Sequence, residues 1–360
     1  SNMIRIGDHP VGDTHPCFIT FEIGPTHEGV ESAKRLIQHA STAGADAVKF
    51  QILDPDRLVS DKTQMFSYSV LVDRDSGSTE IVDEPLYDIL KRRHLADYEW
   101  RELKAFSDSL GMAFFSTVAF DDEIELLEDL GCHSIKIASA DINHLPLIRR
   151  AAQTGMCIQL DTGMATLGEI ETAVNVISSE GNQDIIIHQC PSGYPALLDS
   201  INLRIIPTLR QLFPYPVAFS DHSPGILMDV AALALGANLL EKTITENRMT
   251  PSVEHIMSLE PDEMHSFVRT IRDTETALGA TRRVLTPDES SARLAARRST
   301  FLTAEAKAGQ SLNECTVEFR RPGYGLPPDI FVTLQDATIN RDLNDGHMLR
   351  LRDLRWTQEL

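Results

Sequence analysis

A lysine in the middle of a short apolar segment is the first sign of chemistry in this sequence. Lys136 lies between Ile135 and Ile137 in SIKIASAD, residues 134–141. The alternation of apolar side chains predicts a β-strand, and the residues that follow predict a helix. A buried ammonium group costs free energy unless an anion meets it. Lys136 therefore either pairs with a buried carboxylate or binds an anionic ligand.

Two more lysines, Lys49 in AVKFQI and Lys242 in NLLEKTIT, lie on predicted strands. Three ammonium groups that meet at one site would suit a small anion with several charges, such as a phosphate ester that also carries a carboxylate. In the alternative, Glu22, Asp161 and Glu241 hold the lysines in structural salt bridges. Spacing along the chain leaves both interpretations open.

A single repeating pattern has to position these lysines. A short apolar strand is followed by a polar or glycine-containing turn and then by an amphipathic helix. Eight such units in roughly 280 residues favour a (β/α)8 TIM barrel, an α/β fold, over an open doubly wound sheet, which would carry a glycine-rich phosphate loop. The strands are predicted at residues 17–24, 47–52, 113–118, 134–139, 157–163, 184–190, 216–222 and 238–245. The helices are predicted to begin near Val30, Asp97, Asp121, Asn143, Thr166, Asn202, Ile226 and Pro261.

The carboxyl ends of the strands are where ligands bind in such a barrel. Many polar side chains fall in the second half of a predicted strand or just after it, which predicts an active site at that end. They are Glu22, Lys49, Gln51, Ser116, Lys136, Ser139, Asp161, His188, Gln189, Ser220, Asp221, His222, Glu241 and Lys242.

Several of the candidate site residues also have an ordinary structural interpretation. His222, in FSDHSPG, is a metal ligand, an acid or a capping residue. Ser139, Ser192 and Ser220 either donate hydrogen bonds to a phosphate or cap the helices that follow them. Tyr194, in PSGYPA, either contacts a ligand or marks a proline turn.

Other segments lie outside the repeating pattern. Residues 53–96 contain few apolar residues and are predicted to form a long loop that acts as a lid, a binding loop or an interface. The loop after the eighth strand contains Glu254. Residues 281–295 are predicted to be a polar linker. They would join a barrel domain, residues 3–280, to a small β-rich domain, residues 296–360, whose short β segments alternate with glycine and proline turns.

Composition narrows the class of partner and the compartment. The 360 residues carry 33 basic and 53 acidic side chains, a net charge of −20, which argues against nucleic acid or an anionic membrane as a partner. From Ala296 onwards the charges balance, so the acidity belongs to the predicted barrel. Five cysteines are scattered singly, which predicts reduced thiols in a cytoplasmic protein. No apolar run approaches the length of a membrane span.

Ten short motifs, taken together and in order, carry a resemblance over nearly the whole chain. They are FEIGPTHEGV, AGADAVKFQ, FFSTVAFD, SIKIASAD, DTGMATLGEIETAV, CPSGYPA, FSDHSPG, ALGANLLEKTIT, HIMSLEPDE and RRPGYG. This combination resembles the sialic acid synthase family, which includes relatives of the spore coat polysaccharide biosynthesis protein E type.

The resemblance implies a reaction, an architecture and an assembly. Members of the family condense phosphoenolpyruvate with an N-acetylated amino sugar, such as N-acetylmannosamine, in surface polysaccharide biosynthesis. The products are a sialic-acid-type nonulosonic acid and phosphate. The family fold is a (β/α)8 barrel followed by a small antifreeze-like (SAF) domain. In a homodimer, the SAF domain of one subunit covers the barrel mouth of its partner.

The resemblance also implies roles for individual residues. Phosphoenolpyruvate would be held by Lys49, Lys136, Ser139, Ser192 and Ser220. The acceptor sugar would meet Gln51, Tyr194, Glu254 and, from the second subunit, Arg321. Glu22 would act as a catalytic acid or base. His222 would hold a divalent metal, Mn²⁺ or Mg²⁺.

This sequence departs from the family pattern at several of these positions. Thr243 replaces the second metal histidine, so that Asp161 or Glu254 would have to complete the metal site. Asp161 itself replaces a serine, and Asp141 replaces a glutamate. Two alternative functions therefore stay open: a Schiff-base aldolase that uses Lys136 or Lys242, and a non-catalytic sugar-acid-binding relative whose metal site has decayed.

Overall fold

The eight segments predicted as barrel strands all form strands, and they close into a parallel barrel. The computed structural model describes residues 3–191, 193 and 195–356. Contacts divide the chain into two units, with the boundary between Gly279 and Ala280. In chain order, the strands of unit 1 are β1 (Ile4–Ile6), β2 (His9–Val11), β3 (Phe18–Glu22), β4 (Ala47–Gln51), β5 (Met65–Leu71), β6 (Thr79–Pro85), β7 (Ala113–Thr117), β8 (Ser134–Ile137), β9 (Cys157–Asp161), β10 (Ile185–Gln189), β11 (Val217–Asp221) and β12 (Leu239–Thr243).

The barrel follows the order of the chain. Strands β3, β4 and β7 to β12 are neighbours in sequence order, and β12 pairs with β3 to close the cylinder. Every pair in the barrel is parallel, as a succession of strand–helix units requires. The predicted TIM barrel is therefore confirmed.

Helices cover the outside of the barrel, and their ends follow local sequence signals. Helix α1 ends at Gly44, whose φ of 92° is left-handed and favours glycine. At the start of α7, Thr166 Oγ1 accepts a hydrogen bond from the backbone N–H of Glu169, and Glu169 Oε1 accepts one from the backbone N–H of Thr166. The helices of unit 1 are α1 (Val30–Ala43), α2 (Pro55–Leu58), α3 (Leu86–Arg93), α4 (Asp97–Ser109), α5 (Asp121–Leu130), α6 (Leu145–Ala152), α7 (Leu167–Ser179), α8 (Leu198–Ile201), α9 (Ile205–Leu212), α10 (Leu227–Ala234) and α11 (Pro261–Leu278).

The amino-terminal end of the barrel is closed by apolar side chains. The β1–β2 hairpin, which precedes the predicted strands, contributes Ile4, Ile6 and Val11 to this plug. They pack against the first inward-facing residues of the barrel strands: Phe18, Ala47, Phe115, Cys157, Ile186, Ala218 and Leu239. Polar groups farther along the interior therefore face the carboxyl end of the strands.

The prediction that residues 53–96 form a loop is wrong. Strands β5 and β6 pair over seven residues each, and α2 and α3 flank this hairpin. Alternate residues of β5, Tyr68 and Val70, pack with Ile89 of α3 and with Val253 in a small apolar cluster. The low average apolar content of residues 53–96 concealed the alternating apolar residues of β5, MFSYSVL. This alternation is enough to bury one face of a two-stranded sheet.

Unit 2 contains helix and strand segments around its own apolar core. Its elements are α12 (Pro287–Ala296), β13 (Ser299–Leu302), β14 (Val317–Arg320), α13 (Pro328–Phe331), β15 (Thr338–Ile339) and β16 (Leu354–Arg355). Strands β13–β14 and β15–β16 form two antiparallel pairs, and Leu302, Leu312 and Leu349 are fully buried. Helix α12 occupies most of the segment predicted to be a linker, and its residues are exposed.

No helix in the described part of the chain combines the length and the apolar character that crossing a membrane requires.

Candidate active site

Two lysines from separate strands share one carboxylate inside the barrel. Lys136 Nζ of β8 lies 2.9 Å from Glu241 Oε1 of β12. Lys49 Nζ of β4 lies 3.6 Å from Glu241 Oε2. All three side chains are buried. The barrel thus brings Lys49 and Lys136 together around Glu241. Both lysines form salt bridges with the carboxylates that the structural interpretation named, so these contacts alone do not show that an anionic ligand binds there.

The third lysine faces the other way, and the expectation that Lys242 joins the same site is wrong. Its Nζ lies 2.6 Å from Asp221 Oδ2, 2.7 Å from the carbonyl oxygen of Ser223 and 3.4 Å from Asp229 Oδ2. Neighbouring residues of a strand point to opposite faces. Because Glu241 points into the barrel, Lys242 points outwards to helix α10.

Glu22, at the end of β3, is held between a cation and an amide. Its Oε2 lies 3.2 Å from Lys49 Nζ, and its Oε1 accepts a hydrogen bond of 3.0 Å from Gln51 Nε2. Burial raises the pKa of Glu22 to about 7, although Lys49 acts in the opposite direction; Glu241 and Glu254 add to the increase. A carboxyl group with this pKa exchanges protons near neutral pH, which is the requirement for a general acid or base.

Lys49 and Glu241 each shift the pKa of the other towards its charged form. Burial alone would lower the pKa of Lys49, but Glu22 and Glu241 outweigh it, and the pKa lies above its ordinary value. Burial alone would raise the pKa of Glu241, but Lys136 and Lys49 hold it below the usual range. The pair of ammonium groups is therefore matched by one carboxylate that stays ionised.

A chain of hydrogen bonds beneath this group fixes the position of Lys136. His188 donates from Nε2 to Gln159 Oε1, at 2.9 Å, and Gln159 donates to Ser134 Oγ, at 2.8 Å. The other ring nitrogen of His188 is 2.8 Å from Ser220 Oγ, which lies 3.3 Å from Lys136 Nζ. Burial lowers the pKa of His188 well below its usual value, so the ring is neutral and accepts from Ser220.

Glu22, Lys49 and Glu241 line a cavity of about 300 Å³ at the carboxyl ends of the strands, which we call the catalytic cavity. Lys136 and Ser220, which were expected to hold phosphoenolpyruvate, do not line this cavity. Lys136 contacts Glu241 and Asp161, which do line it, and Ser220 Oγ lies behind them, 3.3 Å from Lys136 Nζ. Arg321 belongs to unit 2, and Ser192 and Tyr194 lie outside the described residues. The candidate residues that line the catalytic cavity are Glu22, Lys49, Gln51, Ser139, Asp161, His222, Glu241 and Glu254.

Sequence reasoning missed Arg93 as a site residue. Its guanidinium donates to Gln51 Oε1, at 2.8 Å, and lies 3.4 Å from Glu254 Oε2. Arg93 shares the buried side of α3 with Ile89 and Leu90. The spacing of Ile89, Leu90 and Arg93 is typical of one face of a helix, and it could have indicated that Arg93 is buried. The prediction of a loop for residues 53–96 concealed this indication.

The residues around His222 do not form a ready metal site. Thr243 occupies the place of the second family histidine, Asp161 Oδ2 lies 3.7 Å from Lys136 Nζ, and Glu254 pairs with Arg93. Within the described ranges, three potential His, Cys, Asp or Glu ligands converge only at Glu260, Asp262 and Glu263. The donor set does not fit the family metal, so we derive no step of the reaction through one.

Comparisons with known proteins agree with this fold. Residues 36–283 match the NeuB family. The N,N'-diacetyllegionaminic acid synthase of Legionella pneumophila is 32% identical over 97% of this chain and 98% of its own length. The spore coat polysaccharide biosynthesis protein SpsE of Bacillus subtilis is 34% identical over 92% of this chain and 91% of its own.

A solved structure extends the comparison to three dimensions. The N-acetylneuraminic acid synthetase of Leptospira borgpetersenii, in complex with citrate, is 28% identical, with a TM-score of 0.70 over 81% of this chain and 95% of that one. The resemblance drawn from the ten motifs is confirmed. The chain belongs to the NeuB family and is an enzyme of the sialic acid synthase type.

Proposed function

We propose that this enzyme condenses phosphoenolpyruvate with the open-chain aldehyde of an N-acylated amino sugar, such as N-acetylmannosamine, and releases a sialic-acid-type nonulosonic acid and phosphate. One observation carries the proposal. Lys49 and Lys136 flank a single carboxylate, Glu241, and Lys49, Glu241 and Glu22 line one cavity. A substrate that carries both a phosphate and a carboxylate matches two ammonium groups.

The protonation states of the carboxyl groups favour an anionic substrate. Glu22 has a pKa of about 7, and burial also raises the pKa of Asp161, although Lys136 opposes the change. When Glu22 is protonated, its carboxyl group carries no charge that would repel a phosphate, and Lys49 and Lys136 share the carboxylate of Glu241. Asp161 lies 3.7 Å from Lys136 Nζ, at the position where the family has serine.

The reaction needs positioning and two proton transfers. The terminal enol carbon forms the new bond with the aldehyde carbon, and Glu22 gives its proton to the aldehyde oxygen. Water then adds to the carbon that carries the phosphate and returns one proton to Glu22. Loss of phosphate, together with the remaining hydroxyl proton, leaves the ketone. Lys49 and Lys136 hold the enol face towards the aldehyde throughout.

The acceptor end of the site and the assembly complete the proposal. Gln51 and Glu254 line the catalytic cavity beyond Glu22 and would bind the hydroxyl groups of the sugar. We propose that Tyr194 and, in a homodimer, Arg321 of the SAF-like unit 2 contact the acceptor. The five cysteines are free thiols, which supports the cytoplasm as the working compartment.

The aldolase alternative gains no support from the geometry. A Schiff base needs an uncharged amine. Lys242 is enclosed by Asp221 and Asp229 on the outer face of the barrel, and Lys136 forms salt bridges with Glu241 and Asp161. Burial alone would lower the pKa of Lys242, but the carboxylates of Asp229 and Asp221 outweigh it, and the pKa lies above its ordinary value.

The test is phosphate release from phosphoenolpyruvate with a panel of hexose, N-acetylhexosamine and diacetamido-hexose acceptors, with and without a chelator. We expect release only with N-acylated acceptors, and a keto acid product of the summed carbon skeleton by mass spectrometry. No release with any acceptor would contradict the proposal. A covalent adduct trapped by borohydride with a keto acid would favour the aldolase instead.

A further inference from the structure

Arg93, the last residue of helix α3, contacts two walls of the catalytic cavity from outside it. The residue is 7% exposed. Its Nη1 donates to Gln51 Oε1, at 2.8 Å, and its Nη2 lies 3.4 Å from Glu254 Oε2. Gln51 and Glu254 line the catalytic cavity, whereas Arg93 does not. The guanidinium therefore supports side chains that face a substrate without facing one itself.

The contact with Arg93 decides which end of the Gln51 amide faces Glu22. A guanidinium group donates hydrogen bonds and accepts none. The amide oxygen therefore faces Arg93, and the amide nitrogen, Nε2, donates to Glu22 Oε1 at 3.0 Å. If the amide were turned by half a rotation, its oxygen would face an oxygen of Glu22. The hydrogen bond from Gln51 to Glu22 thus depends on Arg93.

The close packing of Gln51 and Glu22 does not by itself fix the amide. A Cβ atom at Gly24 would lie 2.7 Å from Gln51 Cγ and 2.8 Å from Glu22 Oε1, which is closer than van der Waals contact. The backbone at Gly24 therefore confines both side chains. Rotation about the last bond of Gln51 nevertheless exchanges its oxygen and nitrogen while Cγ stays in place. The donor on Arg93 is what distinguishes the two orientations.

One apolar cluster anchors both sides of the contact between Arg93 and Glu254. Ile89, one turn before Arg93 on α3, packs in this cluster with Val253, which directly precedes Glu254, and with side chains of β5. Glu254 has a φ of 71°, a left-handed conformation that costs free energy in a residue with a side chain, so its surroundings hold it there. The segment that contains the β5–β6 hairpin and α3 thus fixes the guanidinium and one of its partners.

We propose that Arg93 is a positioning residue of the reaction, which holds the Gln51 amide so that it donates to the carboxyl group of Glu22. Arg93 touches no reacting atom in this proposal and acts through Gln51. The inference rests on the proposed function and deepens it, because it gives the segment of residues 53–96 a part in orienting the group that transfers protons.

Removal of the Arg93 donor should change the pH dependence of the reaction in one direction. An N–H group that faces Glu22 stabilises its ionised form, whereas an amide oxygen destabilises it. The charged groups that act on Glu22 from the neighbouring elements are Lys49 of β4, Glu241 of β12 and Glu254 of the loop after β12. All three stay in the variants below. We therefore expect the pKa of Glu22, about 7 in the wild type, to rise when the donor is lost.

The experiment measures kcat/KM for phosphate release as a function of pH in Arg93→Met, which keeps an apolar stem and removes the donors. The decline expected near pH 7 should move upwards by about one pH unit, the effect of one hydrogen bond to a charged group. Below that pH, kcat should fall about tenfold, because the proton is less well directed. Arg92→Met is the matched control. Arg92, on the same helix, binds both carboxylate oxygens of Glu84, at 2.6 and 2.9 Å, and its variant should keep the wild-type profile.

A double variant tests whether Arg93 acts through Gln51. In Gln51→Leu the amide donor to Glu22 is already absent. Adding Arg93→Met to this variant should therefore move the decline by less than about a third of a pH unit, because two changes in one network are not additive. A shift as large as in the Gln51 background would overturn the inference, since Arg93 would then act on Glu22 through its charge and not through the amide.

The other outcomes separate this inference from the proposed function. Phosphate release with an unchanged pH profile in Arg93→Met would overturn the inference and leave the reaction supported. No phosphate release by the wild type with any acceptor would overturn both. If Arg93→Met does not fold, Arg93→Lys keeps a positive charge near Glu254 but lacks the planar fork that reaches Gln51 as well. The decline should then still move upwards, and an unchanged decline in Arg93→Lys would reject the inference.

Discussion

Two buried clusters, each made of lysines and carboxylates, lie on opposite faces of strand β12. Glu241 belongs to the inner cluster, and the next residue, Lys242, belongs to the outer one. The outer cluster joins Lys242 to Asp221 and Asp229, and every one of these side chains is at most 1% exposed. The inner cluster joins Lys49 and Lys136 to Glu241, and it opens to the catalytic cavity. Both satisfy the rule that a buried charge must be paired. Burial and pairing therefore do not distinguish the two clusters; contact with the catalytic cavity does.

The largest expected difference between the clusters is in turnover. Lys136→Ala removes the cation that Glu241 and the hydrogen-bonded layer hold in place, so we expect turnover to fall a thousandfold or more. Calorimetry should show that phosphoenolpyruvate binding is lost with it. Normal binding of phosphoenolpyruvate by this variant would show that the inner cluster is structural, like the outer one.

Glu22→Gln tests whether the inner cluster also handles protons. We expect kcat to fall by about a hundredfold or more, because the amide cannot donate or accept the proton. The proposed mechanism uses the protonated form of Glu22, so we expect kcat/KM of the wild type to decline as pH rises through about 7. The pH–rate profile of the variant should lack this decline. A decline at the same pH in the variant would assign it to another group.

The outer cluster should affect folding instead of chemistry. Lys242→Met leaves Asp221 and Asp229 buried without their cation, and breaking such a pair costs about 3–5 kcal/mol. Urea unfolding should show this loss in the free energy of unfolding. At a temperature where the variant is folded, kcat should match the wild type. A loss of turnover without a loss of stability would mean that the outer face takes part in the reaction.

The smallest expected effect concerns metal binding at the rim of the inner cluster. Thr243→His rebuilds the family pair of histidines with His222, and an added ligand should tighten Mn²⁺ binding about tenfold or more. Isothermal titration of both proteins with Mn²⁺ measures the change, and His265→Leu serves as a surface control. Equally tight binding by the unmodified protein would show that Asp161 or Glu254 completes a metal site there.

Much of the fold, and part of the candidate site, could be predicted from the sequence. Each of the eight predicted strands contains the observed one, because alternating apolar residues are a local signal. The same reasoning placed Glu22, Lys49 and Asp161 at the carboxyl end of the barrel. The same reasoning failed for the hairpin β5–β6, because the apolar alternation of β5 has a structural meaning only once β6 is paired with it. It also failed for Arg93, because helix α3 was not expected.

By itself, the sequence determined the order of strands and helices, the end of each strand that carries polar groups, and the negative charge of the barrel. These features depend on residues close together in the chain. Only the tertiary structure decided that Glu241 faces inwards and Lys242 outwards, because periodicity sets the alternation of a strand but not which set of residues faces inwards. Closure of the barrel likewise brings Glu241 to Lys136 across 105 residues, and it buries Glu22 deeply enough to move its pKa to about 7.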